Sequence, residues 1–161
     1  MLAGVWAEPR PPNAPVRVWR DWALFWGLVA ISLVEVLLRD DRTWAPLLVS
    51  VSLVVAASLL WRRTSPLAAV AVAFGAVLAF DIARIVAVDA TGLQSIAGLL
   101  VLPYALLRWG AGREAALGLG IILIWLPVTL VVDPTSPAER VAGYGFFLFS
   151  AALGAANKVA P

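Results

Sequence analysis

The sequence predicts an all-α fold, a polytopic membrane helix bundle of about six transmembrane helices with both termini cytoplasmic. Three observations carry that expectation: composition, the lengths of the apolar runs, and the placement of the arginines. Of 161 residues, 62% are hydrophobic and only 14% are charged, with a mean hydropathy of +0.92. No soluble domain of this length sustains such a balance. Six apolar runs, Trp22–Leu38, Trp44–Trp61, Pro66–Val88, Leu93–Leu107, Ala115–Val132 and Val141–Ala156, approach the length that one crossing of a hydrocarbon core requires, about 30 Å. The fourth run is the shortest and draws on Arg108 and Trp109 as a snorkelling end.

Lysine and arginine fix the sidedness of this layout. Eight of them fall at the N-terminal tail, the Trp61 turn, the Arg108–Arg113 turn and Lys158, against Arg39, Arg42 and Arg140 on the opposite loops. Cytoplasmic loops carry the excess of positive charge, so the first set lies inside. Arg62, Arg63, Arg108 and Arg113 are the topology anchors. A guanidinium cannot shed its proton and resists entering lipid, so each holds its turn on the inner side.

Taken in order, residues 1–21 form a cytoplasmic tail in which Pro9, Pro11, Pro12 and Pro15 interrupt any helix, and disorder is expected there. The tail lacks the basic-then-apolar order of a cleaved signal peptide. Residues 22–156 form the six-span domain, and 157–161 a short cytoplasmic tail. Thr43 with Pro46 opens the second helix, and Thr64 or Ser65 with Pro66 opens the third. Ser136-Pro137-Ala138-Glu139 reads as a capping box before the sixth. Pro103 and Pro127 fall inside the fourth and fifth runs and predict kinks there.

The third run carries small residues at Ala71, Gly75, Ala79, Ala83 and Ala87, a four-residue repeat that lets a second helix approach closely. Gly112, Ala116 and Gly120 repeat the pattern briefly, and Ser150 with Gly154 adds one step. Packing inside the bundle is the plainer expectation for these stripes; a homodimer interface is the alternative.

Asp81 and Arg84 lie three residues apart and so share a helix face, opposite the small-residue stripe. Glu35 reaches a similar depth on the first run, so Glu35, Asp81 and Arg84 form a candidate polar cluster in the outer half of the bilayer. Intramembrane charge is costly and marks a sensing or binding site by default. The plainer reading is a structural pair in which Asp81 neutralises Arg84 while Arg84 snorkels outward. Thr91, Gln94 and Ser95 sit where they would extend such a pocket. Of eight tryptophans, Trp22, Trp44, Trp61 and Trp109 flank spans as an interfacial belt requires, and only Trp26 and Trp125 are deeper.

Other chemistry is not encoded. The chain has no histidine and no cysteine, which removes the commonest general base and metal ligand and all thiolate chemistry. It carries no phosphate-cradling glycine loop and no nucleophile elbow. No cofactor, metal site, catalytic residue or nucleic-acid partner is expected.

Two stretches, W-R-R-T-S-P-L-A-A-V-A-V-A-F at Trp61–Phe74 and L-P-Y-A-L-L-R-W-G-A-G-R-E-A-A-L-G at Leu102–Gly118, resemble the N-terminal membrane region of actinobacterial two-component sensor histidine kinases. The order of a basic tail, an Arg-Arg turn, a Tyr-containing fourth span and a basic Gly-containing turn fits as well. The resemblance implies a membrane anchor or sensor in the plasma membrane whose partner is a kinase core or other signalling protein. In that family the last span continues into a helix bearing the phosphoaccepting histidine, then an ATP-binding domain. Neither is encoded here, so no catalytic residue carries over, and the resemblance implies the input part alone, whether a fragment, a truncated gene or an orphan module. Outside the resemblance, the residues leave open a small transporter or permease-like subunit built on Glu35, Asp81 and Arg84, or a structural bundle of unknown role.

Overall fold

The computed structural model describes residues 6, 8–11, 18–39, 43–87, 98–132 and 136–159. Among them the chain is all-helical, in six α-helices: α1 (Trp19–Leu37), α2 (Ala45–Leu59), α3 (Pro66–Ala87), α4 (Val101–Trp109), α5 (Gly112–Val132) and α6 (Pro137–Val159). Two segments, Pro66–Ala87 and Gly112–Thr129, are long and apolar enough to cross a membrane; Ala45–Leu59 and Gly98–Trp109 are shorter apolar helices.

Local chemistry accounts for most boundaries. α1 opens at Trp19, before the expected Trp22, because the Asp21 carboxylate accepts the Val18 N–H (3.0 Å) and satisfies a donor of the first turn. Ser65 takes the N-cap position of α3, its carbonyl accepting the Ala69 N–H (2.9 Å), with Pro66 next at the first helical position. The Thr64 hydroxyl donates back to the Trp61 carbonyl (3.4 Å) and closes the turn. α6 starts at Pro137 as its grammar required; the Glu139 side chain of the expected capping box lies outside the described residues. Pro103 falls in the first turn of α4, where a missing N–H costs nothing, which removes the reason for a kink there. Pro127 is inside α5.

α3 is the hub. It packs against α2, α4 and α5, while α1 rests on α2 and α6 on α4. Its inner face, Ala69, Val70, Ala73, Phe74, Val77 and Phe80, is buried against Leu48, Val51, Val55 and Leu59 of α2, Leu102 and Leu106 of α4, and Ile122 and Trp125 of α5. The small-residue stripe lies on the other side: Ala71, Gly75 and Ala79 are exposed and Ala83 is half-buried. The expectation that this stripe packs inside the bundle is therefore corrected. The physical reason is packing: Val70, Phe74, Val77 and Phe80 make more van der Waals contacts with α2, α4 and α5 than Ala and Gly would, so the bulky face turns inward. Ala79 and Ala83 instead border an apolar groove of about 230 Å³ along α2.

Close helix approach occurs elsewhere. A Cβ added at Gly154 of α6 would collide with the backbone carbonyl of Tyr104 on α4. One turn earlier the Ser150 hydroxyl donates to the Leu100 carbonyl, and one turn later Lys158 Nζ donates to the Gly110 carbonyl (2.9 Å). These contacts run parallel along α4 and α6, at four-residue spacing on α6, and Ser150 and Gly154 give the small-residue packing expected of them. Gly118 likewise admits the Leu106 side chain, whereas Ala116 is exposed.

Gly154→Val is expected to destabilise the bundle by about 1–3 kcal/mol, because the obstructing atoms are backbone and cannot rotate away. Gly75→Ala is expected to be neutral or to stabilise by up to about 1 kcal/mol, since its Cβ would enter open space. Thermal unfolding of both variants in detergent, followed by helical circular dichroism, checks the contrast.

Candidate functional site

Two polar constellations emerge, one sealed in the core and one at an end of the bundle. In the core, Asp81 and Arg84 on successive turns of α3 form an ion pair (Nη1–Oδ1, 3.6 Å) with side chains only 3% and 1% exposed. From α5, the Trp125 indole N–H donates to Asp81 Oδ2 (3.1 Å). Arg84 also lies over the Phe80 ring, 5.7 Å from its centroid, within range of a cation–π attraction. Trp125 meets Phe74 edge-on at 5.2 Å and Phe147 of α6 at 5.8 Å, so an aromatic wall closes this site. Arg84 does not snorkel outward as expected; it is fully enclosed. Trp125 joins the pair from a sequence distance of 44, and depth alone was its only sequence signal.

Glu35, the third member of the candidate cluster, pairs with Arg39 one turn further along α1 (2.9 Å). Thr91, Gln94 and Ser95 lie outside the described residues.

The second constellation gathers at the end where α1 begins and the α2–α3 and α4–α5 turns meet. Asp21 is buried, 1% exposed, and its Oδ1 binds Arg62 Nη2 at 2.5 Å and faces Arg63 Nε at 3.4 Å. Burial pushes the Arg62 guanidinium below its ordinary pKa, and Arg63 adds to this against the attraction of Asp21. Arg63 lies over the Trp109 ring at 5.9 Å. Arg108 lies over the same ring at 4.8 Å and donates to the Tyr104 hydroxyl. Sequence reasoning assigned Arg62, Arg63 and Arg108 a topological role only and left Asp21 in the tail. Its signal was present: an acid at the third residue of α1, on the side richest in arginine.

The segment from Glu8 to Arg10 is tied to the same end. Gly112 N–H donates to the Glu8 carbonyl (3.0 Å), Arg10 forms a two-pronged ion pair with Glu114 and also donates to the Thr64 carbonyl (3.0 Å). Lys158 closes the set on the Glu8 carboxylate (3.2 Å). Arg113 is exposed beside a cleft of about 540 Å³ lined also by Trp6, Arg10 and Glu114. Among the described residues no group of three or more His, Cys, Asp or Glu gathers to hold a metal.

Three outcomes are expected from these geometries. Asp81→Ala leaves a guanidinium in the core without its neighbouring carboxylate and is expected to cost about 3–5 kcal/mol. Asp81→Ala with Arg84→Ala is expected to cost less than the sum of the single changes, which a double-mutant cycle on unfolding midpoints measures. Arg10→Ala, which removes an exposed pair, is expected to cost no more than about 1 kcal/mol by the same assay.

Compared with known proteins, the chain matches no protein-family model, no curated protein and no solved structure.

Proposed function

We propose that this chain is a multi-pass plasma-membrane protein, non-catalytic, that serves as the anchor or sensor input of a two-component signalling system. The membrane reading is supported by the outward faces of the helices. Leu123 and Ile124 on α5, Phe146, Leu148 and Phe149 on α6, and Trp26 and Ile31 on α1 are all exposed. Large apolar side chains exposed on three helices mark a lipid or protein contact. The ionic contacts of the tail, of both basic turns and of the end of α6 meet at one end, which the positive-inside rule makes cytoplasmic.

The signalling reading rests on one observation. The two stretches that carry the kinase resemblance, Trp61–Phe74 and Leu102–Gly118, meet in space through Arg63 and Trp109, and the second of them grips the last turn of α6 through Gly110 and Lys158. A change of bundle packing would therefore reach the helix that leads toward a kinase core. The sealed state of Asp81 and Arg84 favours this over transport, which needs a hydrated path past a charge.

Topology is checked by single cysteines in this cysteine-free chain. Asn157→Cys is expected to react with a membrane-impermeant maleimide only after permeabilisation, and Thr43→Cys in intact cells. Reaction of both in intact cells overturns the six-span layout. For function, the chain is fused after residue 159 to a histidine-kinase core lacking its own input region. Lys158→Ala is expected to shift basal autophosphorylation at least about twofold at unchanged expression. An unchanged level, or solute flux in vesicles bearing the chain, overturns the sensor reading.

A further inference from the structure

Three arginines gather at the end of the bundle, two of them on one carboxylate and the third beside the Trp109 ring that it shares with Arg63. Arg62 and Arg63 come from the α2–α3 turn and Arg108 from α4, and Asp21 is the acid that faces the first two. The Arg62 side chain is 8% exposed, yet its Nη1 is buried and has no hydrogen-bond partner, and Nε of Arg63 is buried without a hydrogen bond as well. An enclosed guanidinium donor without an acceptor is expensive and calls for an anion. Asp21 is already committed to Val18, Arg62 and Arg63. Arg63 and Arg108 are half-buried, share the Trp109 ring and form the accessible side of the cluster. Tyr104 supplies a hydroxyl beside Arg108.

We propose that Arg62, Arg63 and Arg108, with Tyr104 and Trp109, form a binding site for a phosphate anion, met in the membrane as the phosphodiester headgroup of an anionic phospholipid. Phosphate is the acceptor whose geometry matches forked guanidinium donors, and it brings the negative charge that the cluster lacks. Trp109 lies beside the site as an interfacial ring lies beside a headgroup, and basic pockets between helices on the cytoplasmic side are where anionic headgroups are held. Phosphatidylcholine carries the same phosphodiester but a choline cation cancels its charge, so the site discriminates between headgroups. The lipid source rests on the membrane reading above; the phosphate chemistry does not.

The test is native mass spectrometry of the full chain in detergent with phosphatidylglycerol, phosphatidylcholine or inorganic phosphate as probe. Phosphatidylglycerol is expected to be retained over phosphatidylcholine. Each of Arg63→Gln and Arg108→Gln is expected to weaken that retention roughly tenfold, the loss of a direct hydrogen bond to a charged group. Arg113→Gln, an exposed cation outside the cluster, is expected to leave retention unchanged. Arg63→Lys and Arg108→Lys keep the charge but lose the fork, and each is expected to restore part of the loss while helical content stays native. Equal retention of the two lipids, or equal loss with Arg113→Gln, overturns the site. Displacement of phosphatidylglycerol by millimolar inorganic phosphate supports the phosphate site and assigns it a soluble source. If the chain is found outside the membrane fraction, the membrane reading fails; binding of inorganic phosphate lost with Arg63→Gln would still uphold the site, and no phosphate binding would overturn it.

Discussion

A charge pair that cannot reach water sets the terms for the rest of the bundle. Asp81 and Arg84 are held on the inner face of α3, and their enclosure is tolerable only if other elements supply polar and aromatic partners at the right height. Trp125 does so from α5, which runs parallel to α3, and its ring is in turn wedged against Phe74 and Phe147. A slip of α5 by one turn would carry the indole N–H about 5 Å from the carboxylate. Burial of aliphatic area is tolerant of such slips, because one methyl group replaces another. The directional N–H bond is not, so the polar contact selects one register among many that would pack comparably.

From that hub, stability falls away toward the end of the molecule where the turns meet. The core around α3 is aliphatic and aromatic and closed. The end cluster is held by ion pairs, several of them partly exposed, such as Arg10 with Glu114 and Lys158 with Glu8. Pairs of that kind contribute little individually, and they join the first segment, two turns and the last helix. The molecule thus combines buried pairs that are costly to disturb, Asp81 with Arg84 and Asp21 with Arg62, with outer pairs that can rearrange while the core stays packed. Between them runs the α4–α6 seam, where Gly154 and Ser150 bring two backbones together and transmit position from Leu100 to Gly110.

Helical class, the starts of α3 and α6, and the sharing of one face by Asp81 and Arg84 were legible in the sequence, because each depends on spacing or capping within a few residues. The opposition of the Ala71–Gly75–Ala79 stripe to that face was legible for the same reason. Which of the two faces turns inward was not. Helical periodicity separates faces without ranking them, and the choice followed from the van der Waals packing of Val70, Phe74, Val77 and Phe80 against α2, α4 and α5. The partner of Asp81 was hidden in the same way, since Trp125 carries no local mark that distinguishes it from an interfacial tryptophan.

Everything within reach of a single helix was encoded locally: composition, helix boundaries, the i,i+3 charge pair, and the clustering of basic residues at alternate turns. Which distant residues share those charges emerged with the packing of the helices. Asp21 lies 41 residues from Arg62, and Ser150 lies 50 from Leu100, separations at which no spacing rule operates. Such contacts arise when several helices pack closely together, with every buried polar group seeking a partner. That is a property of the assembled bundle and of no segment within it.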